Sequence, residues 1–176
     1  IPMHRLYDAG KPNEMLFDLI RRNVRYSEKM IGDLRAQVAT GWAGCRELER
    51  LCAEFDFPDL REVSDEITGR TEEGIRAGLR ELPDGEWREE MMMDIDGIDE
   101  PQPLVVTVKI EGDQLYADFT GTAPQVRRPV NCPINFSRAY VAVPVKMICD
   151  PSLPNNQGTY RPITLTAPEG SLLNPS

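Results

Sequence analysis

The sequence predicts an α+β fold, with an N-terminal helical hairpin or bundle followed by an antiparallel sheet that carries one buried helix. Three observations predict it. Apolar residues recur at three- and four-residue spacing through the first part of the chain, the period stops at Leu82-Pro83-Asp84-Gly85, and beyond that turn apolar residues alternate with polar ones. A helical subdomain is therefore expected over 1–82, and a β-rich subdomain with one helix over 83–176.

After a start that reads as irregular, Lys11-Pro12-Asn13-Glu14 has the composition of a helix entry, and Met15, Leu16, Leu19 and Ile20 supply an apolar face as far as Val24. Ser27 is expected to cap the next helix, since its hydroxyl can accept a hydrogen bond from an otherwise orphaned amide. Ile31, Leu34, Val38, Gly41, Cys45, Leu48, Cys52 and Phe55 then form a continuous seam, the mark of one long helix packed on a neighbour. Asp56-Phe57-Pro58 breaks the pattern. Leu60, Val63, Ile67, Ile75, Leu79 and Leu82 mark the expected neighbour, as one helix or as two joined near Thr68-Gly69. Gly74 and Gly78 share one of its faces, which allows either tight packing against another helix or subunit, or a frayed, exposed segment.

Residues 87–93 read as a strand. Residues 104–110 and 114–120 form a hairpin about Glu111-Gly112-Asp113. Met91-Met92-Met93 is explained by core filling. Residues 134–149 have helical spacing at Phe136, Tyr140, Val143 and Met147 and read as a buried helix kinked by Pro144. Residues 150–158 are loop, and 160–167 form a last strand through Ile163 and Leu165.

Composition narrows the function. The 176 residues, 40% hydrophobic and 28% charged, suit one domain or two joined subdomains. No apolar run approaches the ~20 residues needed to span a bilayer, and the first residues do not read as a secretion signal. A formal charge of -9, with no basic cluster beyond Arg127-Arg128, argues against nucleic acid as a general partner. Cys45, Cys52, Cys132 and Cys149 lack metal or disulfide spacing and are expected to be buried free thiols in a reducing cytoplasm.

Few residues point to chemistry. His4 has no partners at ligand spacing, so no metal site is expected within this chain. Asp94, Asp96, Asp99 and Glu100 open like a calcium loop but lack its later ligands, and read as a solvated turn. Asp118-Phe119-Thr120-Gly121-Thr122 ends the hairpin, where functional groups often sit. Asp118, Asn131 and Asn156, all in polar loops bounded by glycine or proline, are the candidates for lining a substrate or subunit interface; the alternative is turn hydrogen bonding. No phosphate loop, dinucleotide fingerprint or nucleophile elbow occurs, and no catalytic residue can be named.

Several blocks, taken in order, resemble the hydantoinase B/oxoprolinase family. They are Ile1-Pro2, Leu6-Tyr7-Asp8-Ala9-Gly10, Pro12-Asn13-Glu14, Gly32-Asp33-Leu34-Arg35-Ala36-Gln37, Leu82-Pro83-Asp84-Gly85, Asp118-Phe119-Thr120-Gly121-Thr122, Arg161-Pro162-Ile163, and Ala167-Pro168-Glu169-Gly170-Ser171-Leu172-Leu173-Asn174-Pro175. Pro144, Gly74 and Gly78 depart from the family's pattern of good helix formers.

The resemblance implies ATP-dependent opening of a cyclic amide such as a hydantoin or 5-oxoproline. In that scheme a hydantoinase A-type subunit or domain binds ATP with magnesium and activates the substrate, and the B-type part completes turnover. It also implies that this sequence is an interior piece of a longer B-type chain, inactive alone, with any metal held by histidine- and aspartate-rich motifs upstream. Two alternatives stand beside it: a non-catalytic assembly scaffold, and part of a ketone carboxylase related to acetone carboxylase.

Overall fold

Asn13 begins the first helix as the sequence predicts: its side-chain oxygen accepts a hydrogen bond from the Leu16 amide at 3.2 Å. The structure, a computed structural model, describes residues 3–176, so the Ile1-Pro2 block lies outside it. The described residues fall into two units that divide between Leu60 and Arg61.

In the first unit β1 (Tyr7–Asp8) and β2 (Lys11–Pro12) pair as a short hairpin where the sequence suggested irregular chain. Its turn residues Ala9 and Gly10 have φ of 46° and 79°, the two positive values that a tight two-residue hairpin requires. Alanine rarely takes such a conformation, which is why the turn gave no signal. Helix α1 (Glu14–Asn23) buries Leu16, Phe17 and Ile20 against Ile31, while Met15 and Leu19 face solvent. The apolar face is thus rotated from the one expected, toward Phe17, whose ring meets Tyr7 edge-on. Helix α2 (Ser27–Phe55) is one 29-residue helix. Ser27 is its first helical residue rather than its cap; Tyr26, in the left-handed conformation at φ 58°, holds that place with no side-chain bond. Along the seam Ile31 is buried and Leu34 and Val38 are half-buried, but every residue over 41–50 is exposed.

The second unit begins with α3 (Arg61–Arg80), a single helix that joins the sheet, whereas the sequence grouped it with the preceding helices. Strands β3 (Gly85–Met93), β4 (Gln102–Glu111) and β5 (Gln114–Asp118) are antiparallel, with Gly112 at φ 60° in the turn between the last two. The chain then crosses over through α4 (Ile134–Cys149) and a 3-10 helix (Gln157–Thr159) to β6 (Ile163–Thr166). Because that crossover returns the chain in its original direction, β6 runs parallel to β5, and the sheet, in the order β3-β4-β5-β6, is mixed rather than antiparallel. Its core joins Ile75 and Leu79 of α3 and Val145 of α4 to Ile110, Leu115 and Ala117.

Helix α4 is oriented against expectation. Phe136, Tyr140, Val143 and Met147 are exposed, and Ser137, Ala142 and Val145 are buried. The helix is apolar on most of its surface, and its small residues are the ones that face the interior; the Ser137 hydroxyl donates to the Leu173 carbonyl at 2.9 Å. Met91 and Met92 are likewise exposed rather than core-filling, since β3 is an edge strand; only Met93 packs, beside Ile95 and Leu172. The four cysteines are free but not buried, Cys45 being exposed and the others half-buried.

Tight packing is the outcome at Gly74 and Gly78. A methyl group on Gly78 would lie 2.6 Å from the Cα of Cys149 on α4, and one on Gly74 would lie 2.8 Å from the Leu153 side chain. Leu153 can yield; backbone cannot. Gly41 and Gly44 on α2 have nothing within 4 Å of that position. Gly78→Ala is therefore expected to lose about 1–3 kcal/mol in urea unfolding through overpacking. Gly41→Ala is expected to gain about 0.5–1 kcal/mol from helix propensity alone. Equal effects at both sites would remove the close-approach explanation.

Candidate functional site

The polar concavity of the second unit is built where the crossover meets the sheet edge. Asn135 and Arg138 enter it from the first turns of α4, Gln157 and Tyr160 from the 3-10 helix and the residue after it, and Ile163, Thr164 and Leu165 from β6. It is open to solvent on one side and has a volume of about 560 Å³. That lies within the usual range of small-molecule sites, roughly 300–1,000 Å³.

Each wall is fixed by local chemistry. Asn156 caps the 3-10 helix: its side-chain oxygen accepts from the Gly158 amide, and its amide nitrogen donates to Thr71 Oγ1 of α3, both at 2.8 Å. Gly158 completes the contact, since a methyl group there would lie 2.7 Å from the Glu72 backbone nitrogen.

Beside this clamp Glu72 gathers two arginines. Its Oε1 accepts from Arg76 Nε at 2.9 Å and from a second Arg76 nitrogen at 2.7 Å, and its Oε2 accepts from Arg161 at 3.0 Å. Arg76 also reaches Asp113 in the β4–β5 turn at 3.2 Å. The hydrogen bonds from Arg76, then those from Arg161, hold the Glu72 carboxyl below the usual glutamate range, and the same partnership raises Arg76. Arg161 follows Tyr160 directly, so this network steadies the cavity's outer wall.

The three residues singled out from sequence are not brought together as one site. Asp118 Oδ1 accepts from the Thr120 amide at 2.9 Å and its hydroxyl at 2.7 Å, closing a turn. Asn131 accepts from the Val126 amide and donates to the carbonyls of Val126 and Arg128. Asn156 adjoins the cavity through Gln157. Sequence reasoning missed Arg138 and Tyr160: neither sits in a motif, and only the crossover brings them to one place.

No histidine, cysteine, aspartate or glutamate lines the cavity. The arrangement can donate hydrogen bonds and hold a polar molecule, with Tyr160 as its one side chain of the acid/base type. A second cavity of about 320 Å³, between α3, α4 and the sheet, is walled by Leu79, Val108, Val145 and similar residues and has no convergent polar groups. His4 is exposed and lines a shallow recess with Asp18 and Arg22 in the first unit. Among the described residues no group of three or more His, Cys, Asp or Glu could hold a metal ion, and no helix is long and apolar enough to cross a membrane.

Comparison with known proteins places this fold. The family model for hydantoinase B/oxoprolinase matches residues 1–176, and the chain belongs to that family. It is 30% identical over 97% of its length to the protein named as the B component of a D-/L-hydantoinase in Pseudomonas sp. strain NS671, covering 31% of that protein. It is 32% identical over 83% of its length to a 5-oxoprolinase of Pestalotiopsis fici, covering 11% of it. The crystal structure of the ATP-dependent caprolactamase from Pseudomonas jessenii superposes on 100% of the chain with a TM-score of 0.84 and 25% identity, over 31% of its own chain. Nucleotide-free acetone carboxylase shares the fold, with a TM-score of 0.79 and 16% identity. The chain thus spans less than a third of each of these relatives.

The Glu72 network generates a pH prediction with a definite sign. A carboxyl whose folded pKa is lowered contributes stability above its unfolded value, about 4.3 for glutamate, and loses it as pH falls through the folded value. Glu72→Gln is expected to lose roughly 1–2 kcal/mol at pH 7, since charged hydrogen bonds to two arginines weaken. The gap from wild type should close as urea unfolding is repeated below pH 4. A gap that persists undiminished at acid pH would exclude charge as its source.

Proposed function

We propose that this chain is the central portion of the B-type component of an ATP-dependent cyclic-amide hydrolase that opens a hydantoin, 5-oxoproline or lactam ring. The observation that carries the reading is the match in backbone to ATP-dependent caprolactamase over the entire chain. The names of the relatives, a hydantoinase B component and a 5-oxoprolinase, support the same chemistry.

In this reading ATP with magnesium is bound by a hydantoinase A-type partner, which activates the amide oxygen. The B-type component holds the activated substrate, and the complex works in the cytoplasm. A cavity rich in hydrogen-bond donors and lined by no histidine or carboxylate suits holding. Any metal belongs to residues outside this sequence, and the chain alone is inactive. Asp118, Asn131 and Asn156 shape loops at a substrate or subunit interface, with Asn156 positioning Gln157.

The intact A–B pair, offered hydantoins, 5-oxoproline, lactams and small ketones, is expected to hydrolyse ATP in step with ring opening of a cyclic amide, and only when both components are present. ATP hydrolysis that requires a ketone and bicarbonate would move the protein to the carboxylase branch. Asp118→Ala in the same pair is expected to alter turnover; unchanged turnover with unchanged folding removes Asp118 from the interface.

A specific observation favours the scaffold reading as a second role. Leu48, Leu51 and Phe55, which share one face of α2, are all exposed, Leu48 at 50% and Phe55 at 56%. Contiguous exposed apolar residues mark protein-binding surfaces. Light scattering is expected to find the protein self-associated, or bound to its partner through this helix. Leu48→Glu should disrupt that complex, and a complex indifferent to it rules out this face of α2 as its contact.

A further inference from the structure

The chemistry of the polar cavity's walls narrows what it can hold. Arg138 has neither an ion pair nor a hydrogen bond among the described residues, although it belongs to a chain of net charge -9. Nearby elements treat arginine differently: Arg70, Arg76, Arg80 and Arg161 are each paired with a carboxylate. No carboxylate lines the cavity to neutralise Arg138. The groups that accompany it, the side-chain amides of Asn135 and Gln157 and the hydroxyls of Tyr160 and Thr164, all can donate hydrogen bonds. An unneutralised guanidinium among donors favours an anion.

The rest of the lining decides which anion. Ile163 and Leu165 give the cavity an apolar part, which a bare inorganic phosphate would leave unused. A guanidinium presents two parallel donors that match the two oxygens of a planar carboxylate. We propose that this cavity binds a small aliphatic carboxylate, with Arg138 pairing the carboxylate and the Tyr160 hydroxyl donating to it, while the hydrocarbon part meets Ile163 and Leu165. Hydrolytic opening of a lactam yields an acid of this kind with the freed amine at the far end of its chain, as the ring C–N bond is replaced by a C–O bond from water and the nitrogen takes up a proton. The choice of acid rests on the function proposed above; the preference for a carboxylate rests on the walls alone.

The test is isothermal titration of the purified protein with hexanoate, with caprolactam as the neutral cyclic amide, and with inorganic phosphate. Hexanoate is expected to bind more tightly than either, and more weakly as salt rises. Arg138→Ala should weaken hexanoate binding by about tenfold or more, as loss of a charge-assisted pair implies. Arg138→Lys, which keeps the charge without the fork, should fall between the two. Because Arg138 is exposed and unpaired, the thermal midpoint should stay unchanged in both variants. Unaltered hexanoate affinity in Arg138→Ala, tighter binding of phosphate than of hexanoate, or no hexanoate binding to the wild type each overturns the proposal. Failure of the A–B pair to couple ATP to ring opening would remove the proposed function and leave this binding result standing, so the two can fail separately.

Discussion

The second unit depends on how closely α3 is approached by the segments that follow the sheet. At Gly78 the backbone of α4's last residue, Cys149, comes so near that a methyl group has no room, and at Gly158 the 3-10 helix lies against the α3 backbone in the same way. These contacts need absent side chains, and each glycine costs its helix roughly 1 kcal/mol in propensity when it sits in an interior. What the glycines permit is the crossover itself. With α4 and the 3-10 helix both seated on α3, β6 can lie parallel to β5, and the cavity forms at the joint.

Polar bonds then fix what the glycines allow. Asn156 reaches Thr71 across 85 residues of sequence, and Arg161 reaches Glu72 across 89. Both long-range bonds end on adjacent residues of one α3 face, so the helix serves as the reference for the cavity's outer wall. The Arg76–Asp113 contact ties that face to the β4–β5 turn. The partners are only partly exposed, with Arg76 at 18% and Glu72 at 22%, and this is the setting in which ion pairs are least screened by water and salt.

The parts of the fold legible in the sequence are those governed by local rules. The helix entry at Lys11-Pro12-Asn13-Glu14, the full run of α2, the break at Leu82-Pro83 and the β4–β5 hairpin about Gly112 all follow from spacing and turn chemistry within a few residues. What escaped was set at long range. Periodicity locates α4 but cannot say which of its apolar sides faces inward, because Phe136 and Val145 look alike to a pattern and only the closeness of α3 selects small residues for the interface. The direction of β6 depends on the crossover, and the gathering of Arg138, Gln157 and Tyr160 depends on both. Asn156 was singled out for its loop position, and its role proved to be in holding that loop on α3.

The bare half of α2 obeys a different constraint. At 1.5 Å per residue the helix extends roughly 44 Å, and apart from the edge-on contact of Trp42 with Tyr7 its packing within the first unit ends near Val38. Beyond that point it contains Gly41 and Gly44, and the Arg50–Glu47 ion pair is a surface contact worth a few tenths of a kcal/mol. An isolated segment of this length and composition is marginal in water, since most helix stability comes from packing an apolar face. Leu48, Leu51 and Phe55 share one exposed face there and are the wrong residues for a helix meant to remain solvated. The two units therefore differ in kind: the second closes a core between α3, α4 and the sheet, whereas the first leaves the C-terminal half of its long helix with little packing inside the unit.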